Sequence, residues 1–565
     1  MDFQRYLLIG AIAVLSYMLL IEWGQFKTDN APVQAVSSFE SQQQNQAPSI
    51  PGAAVATAQT ELGDLPTQTA DTATASVEIE DVAQTTSNKT IHIKTDSLEV
   101  GIDLVGGDIV FAALPKHFAA IDTPDSPFVI LEDSAQRTYV SQSGLIGING
   151  TDTNKGRPLF SSAESNYQLS EGQDTLNVDL TYNNPAQPLV NITKRFIFHR
   201  NQYLIDVQYI VENNSDQNWS AGLFGQIKRD NSADPAADTS GMGMAPYLGA
   251  AINLADEPYK KISFEDIAEK PFKTTNQGGW VAIVQHYFLS AWVPDASQKH
   301  NYATLETRDK SNLVRFTSPA VTVAPGQTET IKAQFYVGPK DQYSLQEISP
   351  GLELSVDYGF LWMPAQALFW LLNQFFELTG NWGWSIILVT VLVKALFYSL
   401  NKKAYTSMAN MRKVQPKLMA LRERYADDKQ KQSQEMMNLY KKEKINPLGG
   451  CLPILVQMPV FISLYWVLME SVELRHAPFM FWIHDLAAMD PYFILPLLMG
   501  ASMFFQQKLN PPPPDPMQAK VMQWMPVLFT FFFLFFPSGL VLYWVVNNVL
   551  SIAQQYVITK RIENE

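Results

Sequence analysis

Residues 382–400 read WGWSIILVTVLVKALFYSL, an apolar run broken by one charge, Lys394. Directly after it, residues 401–447 carry 12 Lys and Arg against 5 Asp and Glu. A bilayer span needs about 20 predominantly apolar residues as a helix. A short loop rich in Lys and Arg stays on the cytoplasmic side. Together they predict a membrane helix whose C-terminal end faces the cytoplasm. Residues 22–381 then lie on the opposite side.

Working outward from that span, four further apolar runs follow at 448–469, 491–505, 522–536 and 540–557. Pro537-Ser538-Gly539 predicts a tight hairpin between the last two. A run at 6–21, preceded by Arg5, brings the predicted spans to six and places both termini in the cytoplasm. No small-x-small cleavage pattern follows it, since the next residues are Ile21-Glu22-Trp23-Gly24-Gln25-Phe26. An uncleaved anchor is therefore expected at 1–21. The runs 491–505 and 522–536 have 15 residues each. That is about 22 Å of helix against about 30 Å of hydrocarbon. Either they thin the bilayer locally, or Tyr492, Gln506 and Trp524 snorkel to its surface. Between them, residues 508–520 include four consecutive prolines and read as a stiff linker.

The rest of the 565 residues differs in character. Mean hydropathy is −0.07 overall, an average over two unlike parts. Residues 22–355 hold 22 Lys and Arg against 40 Asp and Glu, a net of −18; residues 356–565 hold 18 against 14, a net of +4. The acidity belongs to the upstream part, and no basic surface points to nucleic acid. Residues 28–88 contain no Lys or Arg and are rich in Gln, Ala, Thr, Ser and Pro. Such a stretch buries too little apolar surface to offset chain entropy, so 22–88 reads as a disordered linker. Alternating apolar and polar residues then recur at 91–94, 176–180, 195–198, 203–211 and 330–337, separated by Gly, Asn and Asp. This period predicts an all-β domain over 89–356, most simply a large sandwich. The single cysteine, Cys451, excludes an intrachain disulfide.

Two helical features complete the outline. In 358–377 the residues Gln366, Asn373, Gln374 and Glu377 fall on one helical face of an otherwise apolar stretch. With Pro364 near its start, a helix lying at the membrane interface is expected over 357–380. In 401–447 the stripe Met411, Val414, Leu418, Leu421 and Tyr425, then Met436 or Met437 and Tyr440, predicts a charged helical hairpin. The whole of 381–565 then forms a five-helix core.

Lys394 is the residue that asks for a function. An unpaired lysine deep in a span costs about 2.5–3.5 kcal/mol on insertion scales. Near the end of a span it can snorkel. Alternatively it is solvated within a polar groove, whose candidate lining is Thr390, Gln457, Trp544, Asn547 and Asn548, with Gln554 and Gln555 beyond. Amides in spans also serve simply as glue between helices. A second candidate surface is apolar and adaptable: Met458, Pro459 and Phe461 on one span, Leu528, Phe532 and Phe533 on another. Lipid contact would explain the same residues. The seven histidines show no metal-binding spacing, and no phosphate-binding Gly-Lys-Ser/Thr loop occurs. Neither catalysis nor a cofactor is expected.

Several strings resemble a known family. They are Asn381-Trp382-Gly383-Trp384-Ser385, Tyr405-Thr406-Ser407-Met408, Gln434-Glu435-Met436-Met437, Asn446-Pro447-Leu448-Gly449-Gly450-Cys451, Gln457-Met458-Pro459, Trp482-Ile483-His484-Asp485-Leu486, Asp490-Pro491-Tyr492 and Phe536-Pro537-Ser538-Gly539-Leu540. In these the chain is similar to the YidC/Oxa1/Alb3 insertases. Its anchor, linker and β-domain resemble the Gram-negative members, whose periplasmic domain is a β-supersandwich. The resemblance implies an inner-membrane insertase and chaperone with a hydrophilic groove open to cytoplasm and lipid. It implies that Lys394 helps capture a client's hydrophilic segment, although many members carry Arg there. The bidentate fork of Arg is lost with Lys. Implied partners are nascent membrane proteins, the Sec translocon (SecYEG and SecDF) and membrane lipids. Ribosome–nascent-chain complexes and the signal-recognition-particle receptor would be met through the cytoplasmic loops, with ribosomal RNA the one nucleic acid in reach. Two other readings fit parts of the pattern: a secondary transporter, or an anchored periplasmic carbohydrate-binding protein.

Overall fold

The structure is a computed structural model that describes residues 65–66, 90–153, 156–184, 186–237, 246–443, 452–510 and 516–564. The expected anchor at 1–21, nearly all of the 22–88 linker, the string at 446–451 and the prolines at 511–514 lie outside the described residues.

Each of the five alternating stretches falls in or overlaps a strand: Thr90–Lys94, Thr175–Asn183, Val190–His199, Leu204–Asn213 and Gln327–Pro339. The period is what buries them. Along Val190–His199 every second side chain turns inward, and along Leu204–Asn213 the inward set is Ile205, Val207, Tyr209, Val211 and Asn213. Strands from Thr90 to Pro339 form an 11-stranded and a 9-stranded sheet. The sheets pack face to face across one apolar core. Polar ties cross that core: the Tyr139 and Ser290 hydroxyls lie 2.8 Å apart, and Trp292 Nε1 donates to the Gln226 carbonyl at 3.2 Å.

The alternation also carries a lysine inward. Lys194 occupies a core position of Val190–His199, fully buried, and donates to the carbonyls of Gly106 (3.0 Å), Gly107 (2.8 Å) and Ser143 (3.2 Å). Beside it Arg157 grips Asp108 through two hydrogen bonds of 2.8 Å and meets Asp152 at 2.5 Å. These charges satisfy one another and the backbone inside the sandwich.

The C-terminal part is helical: α1 Trp362–Thr379, α2 Trp382–Leu396, α3 Tyr398–Arg424, α4 Lys429–Lys442, α5 Leu452–Glu470, α6 Ile494–Leu509, α7 Pro516–Phe533 and α8 Ser538–Asn564. On α1 the residues Ala365, Leu368, Phe369 and Leu372 are buried, while Gln374 and Glu377 are exposed. Gly380, left-handed at φ 65°, ends the helix as a Cβ-bearing residue would do only with strain. Asn381 then caps α2 by accepting from the Trp384 amide at 3.2 Å.

The expected single span 382–400 is two helices. α2 stops at Leu396 and α3 leaves it at 67°. Phe397 closes the last turn by donating its N–H to the Val393 and Ala395 carbonyls, and its ring packs on the helical core. Residues 398–400 belong to the start of α3. Among the described residues no single helix is long and apolar enough to cross a membrane; α2 and α3 pass that test only as a bent pair. α6 and α7 have 16 and 18 residues rather than the expected 15. At the helical rise this is about 24 and 27 Å, still under the hydrocarbon thickness. In the hairpin of α3 and α4, Val414 and Leu418 are buried against Met411, Met436, Leu439 and Tyr440, so Met436 rather than Met437 faces inward.

The β-domain is joined to the helical part at the end of α5. Lys340 and Glu470 form a buried pair at 2.8 Å, and Lys340 also donates to the Ser355 carbonyl at 3.1 Å. His286 Nε2 lies 2.7 Å from the Met469 carbonyl. Val472 inserts into the β-domain core. Arg475 donates to the Phe118 (2.8 Å) and Ala119 (3.1 Å) carbonyls, with its guanidinium 5.2 Å from the Phe128 ring centre.

Candidate functional site

The polar side chains of the helical part converge on α8. Asn547, Ser551 and Gln555 recur every four residues and share one face, with Asn548 adjacent. All four are buried. Each reaches a different neighbour. Gln457 of α5 donates to Asn547 Oδ1 at 3.2 Å. Asn548 donates to the Ser502 hydroxyl of α6 at 2.9 Å. Lys394 of α2 donates to Ser551 Oγ at 2.7 Å. Gln555 donates to Asn510 Oδ1 at 2.9 Å, just past α6. Gln554 lies at 3.5 Å from the Tyr398 carbonyl, where α3 begins. One helix thus ties four others together through a ladder of polar contacts.

Lys394 is 7% exposed and donates to Ser551, a neutral partner on α8. The cause is the early end of α2. Lys394 sits in the last helical turn, where a cation is favoured by the carbonyl end of the helix. It lies beside α8 rather than in the middle of a straight span. Thr390, on the same face one turn earlier, spends its hydroxyl on the Ile386 carbonyl at 2.7 Å.

The apolar candidates divide. Met458, Pro459, Leu528 and Phe532 are exposed. Phe461 is half-buried and packs edge-on against Trp544, with ring centres 4.8 Å apart. Phe533 is 2% exposed, within 6.1 Å of Phe461 and 5.4 Å of Trp544 by ring centres. It belongs to the core that joins α5, α7 and α8, so the expectation that it forms part of a contact face is withdrawn. Helical spacing explains the split: Phe529 and Phe533, four residues apart on α7, turn toward the core, leaving Leu528, Phe531 and Phe532 outside. The Trp544 indole N–H has no hydrogen-bond partner among the described residues, so a donor stands unused between the polar ladder and the apolar face.

Ser551 was not singled out from the sequence, since serine is ordinary in membrane helices. The four-residue interval from Asn547 was the available signal. The site therefore offers one buried cation, several amides and, on α5 and α7, exposed Met458, Pro459, Leu528 and Phe532. That combination can hold a polar segment on one side and an apolar helix on the other.

Residues 374–565 match the family described as 60Kd inner membrane protein, and residues 90–371 match the YidC periplasmic domain. A relative from Cellvibrio japonicus (strain Ueda107), named Membrane protein insertase YidC, is 54% identical over 566 residues, covering 100% of this chain and 99% of its own. One of the same name from Pseudomonas fluorescens (strain SBW25) is 52% identical over 568 residues, with coverage of 100% and 99%. A solved structure of an active YidC insertase, with its first transmembrane domain resolved, aligns at 21% identity and a TM-score of 0.38, covering 84% of this chain and 93% of that one.

Proposed function

The chain belongs to the YidC family of membrane protein insertases, inner-membrane proteins with a periplasmic domain, and on that premise we propose that it passes nascent membrane proteins into lipid along the polar ladder of α8. The observation that carries this reading is a polar cluster that continues into exposed apolar residues. Buried amides of α8, with Lys394 of α2 bonded to Ser551, are tied through Asn547 to Gln457 of α5, and the next two residues of α5, Met458 and Pro459, are exposed, as are Leu528 and Phe532 of α7. A client's hydrophilic segment is held by the first, and its apolar segment leaves along the second.

The energetics need no nucleotide. An apolar client segment gains about 0.3–0.6 kcal/mol per Leu-like residue at the bilayer centre. An acidic segment moving outward gains about 2.3 kcal/mol per charge at a potential of 100 mV. What remains is the barrier for the polar segment, which a groove lowers by supplying hydrogen bonds part of the way. Lys394 supplies a charge complementary to an acidic segment.

The topology that fits is six spans, with an anchor at 1–21 and five from 381–565, both termini in the cytoplasm and the β-domain outside. The paired α2 and α3, together passing the length and polarity test across their bend, fit such a first core span. The hairpin 401–447 then faces the ribosome and the signal-recognition-particle receptor, and the Sec translocon is a lateral partner for some clients. α1, with Trp362, Met363 and Trp370 exposed beside its polar residues, fits a helix at the outer interface.

Site-specific photocrosslinking to a ribosome-stalled client tests the path. Crosslinkers at Met458, Leu528 and Phe532 should capture the client, and one at Val549, exposed on α8, should not. Equal capture from Val549 would refute the path along α5 and α7.

A further inference from the structure

We propose that Ser551 is a positioning residue for Lys394, fixing its ammonium in the groove and thereby setting how strongly clients with acidic translocated segments are favoured. The proposal rests on the reading of Lys394 as a client-facing charge.

The geometry is specific. Nζ of Lys394 lies 2.7 Å from Ser551 Oγ, and the same hydroxyl donates to the Asn547 carbonyl at 2.7 Å. The proton of Ser551 is therefore committed to its own helix one turn back, and the oxygen lone pairs are left for the ammonium. Two helices, α2 and α8, thus meet at one hydroxyl, and Ser551 is itself buried. The side chain of Asn547 is held from α5 by Gln457.

Lysine needs such a restraint. Its ammonium is a point charge on four rotatable carbons, without the planar fork that orients an arginine. Near a helix end the same stem can carry the charge out toward water. No carboxylate lies within ion-pair distance of Nζ among the described residues, so position comes from the neutral hydroxyl. A neutral acceptor also leaves the charge uncancelled, and an acidic client segment can still compete for it. An aspartate at 551 would hold the lysine but neutralise it.

The test compares insertion of two clients differing only in an acidic or a neutral translocated segment, using the full chain in proteoliposomes. Ser551→Ala should lower the acidic-to-neutral insertion ratio about tenfold, the size expected for losing a hydrogen bond to a charged group. Ser551→Thr should restore it, because a helical threonine hydroxyl makes the same bond to the carbonyl four residues back. In a Lys394→Ala background Ser551→Ala should change nothing further. A purely structural serine would instead depress both clients alike, with or without Lys394, and that result overturns the proposal. If Lys394→Ala shifts the ratio while Ser551→Ala does not, the positioning role alone fails. If Lys394→Ala leaves the ratio unchanged, the reading of Lys394 fails and the proposal with it.

Discussion

Glu470→Ala should loosen the β-domain from the helical core far more than its single contact suggests. Lys340 and Glu470 meet at 2.8 Å with side chains only 3% and 8% exposed. Removing the carboxylate leaves the ammonium buried with one carbonyl, that of Ser355, as its acceptor. Breaking a buried pair in this way costs about 3–5 kcal/mol. At about 1.4 kcal/mol per tenfold, local opening becomes more frequent by roughly two to three and a half powers of ten. The neighbouring ties from His286 and Arg475 stay in place, so the opening is confined to the seam around 340–357 and 469–475. Hydrogen exchange of backbone amides in those two segments, on the full chain in nanodiscs, reads it directly. The double substitution Lys340→Met, Glu470→Met removes both charges and should return exchange close to the parent, since an apolar pair of similar volume often replaces a buried ion pair without loss. Unchanged exchange in Glu470→Ala, or a double variant no better than the single, would refute the reasoning.

Other outcomes follow from burial and charge. Burial pushes Lys194 down from 10.5 to about 7. Between about pH 8 and 10 the unfolded chain then binds more protons than the native one, so stability rises with pH across that window. Thermal unfolding at the two pH values should show the rise, and Lys194→Met should flatten it. Phe533→Ala should cost about 3–5 kcal/mol of stability, as for other buried aromatics. Phe532→Ala, on the exposed side of the same helix, should stay within about 0.5 kcal/mol. Chemical denaturation in detergent separates the two, and only Phe532→Ala should weaken client crosslinks while leaving the fold intact.

The division into a β-domain and a helical part was legible because the strands alternate with a period of two, as along Val190–His199, whereas the helical part reads as long continuous apolar runs. What the sequence hid was local. Phe397, Tyr398 and Leu400 continue the apolar run with only Ser399 between them, so hydropathy did not mark the bend that brings Lys394 against α8. Lys194 interrupts an apolar strand face, and only the carbonyls of Gly106, Gly107 and Ser143, distant in sequence, explain it. Among the phenylalanines of α7, hydropathy treats every ring alike, whereas helical spacing separates the inward row from the exposed one. Four of the family strings make structural contacts. Asp490 accepts from the Trp482 indole at 3.0 Å, from the Tyr492 amide at 3.0 Å and from the Leu495 amide at 2.6 Å, which fixes the entry to α6. The amides of Ser538 and Gly539 donate to the Ala488 and Leu486 carbonyls at 2.7 and 2.9 Å, stapling the start of α8 to the same loop. Asn381 reaches from the start of α2 to the Pro478 carbonyl at 3.1 Å. These strings build the frame that holds the polar ladder in place.

Charge substitution at Lys394 bears most directly on the groove. Insertion of a client with an acidic translocated segment is measured in proteoliposomes carrying Lys394→Arg, Lys394→Ala and Lys394→Glu. Arg should support insertion, Ala should reduce it and Glu should reduce it further, while a neutral-segment client changes little across the series. Normal insertion of the acidic client by both the Ala and Glu variants would contradict a charge-capturing groove.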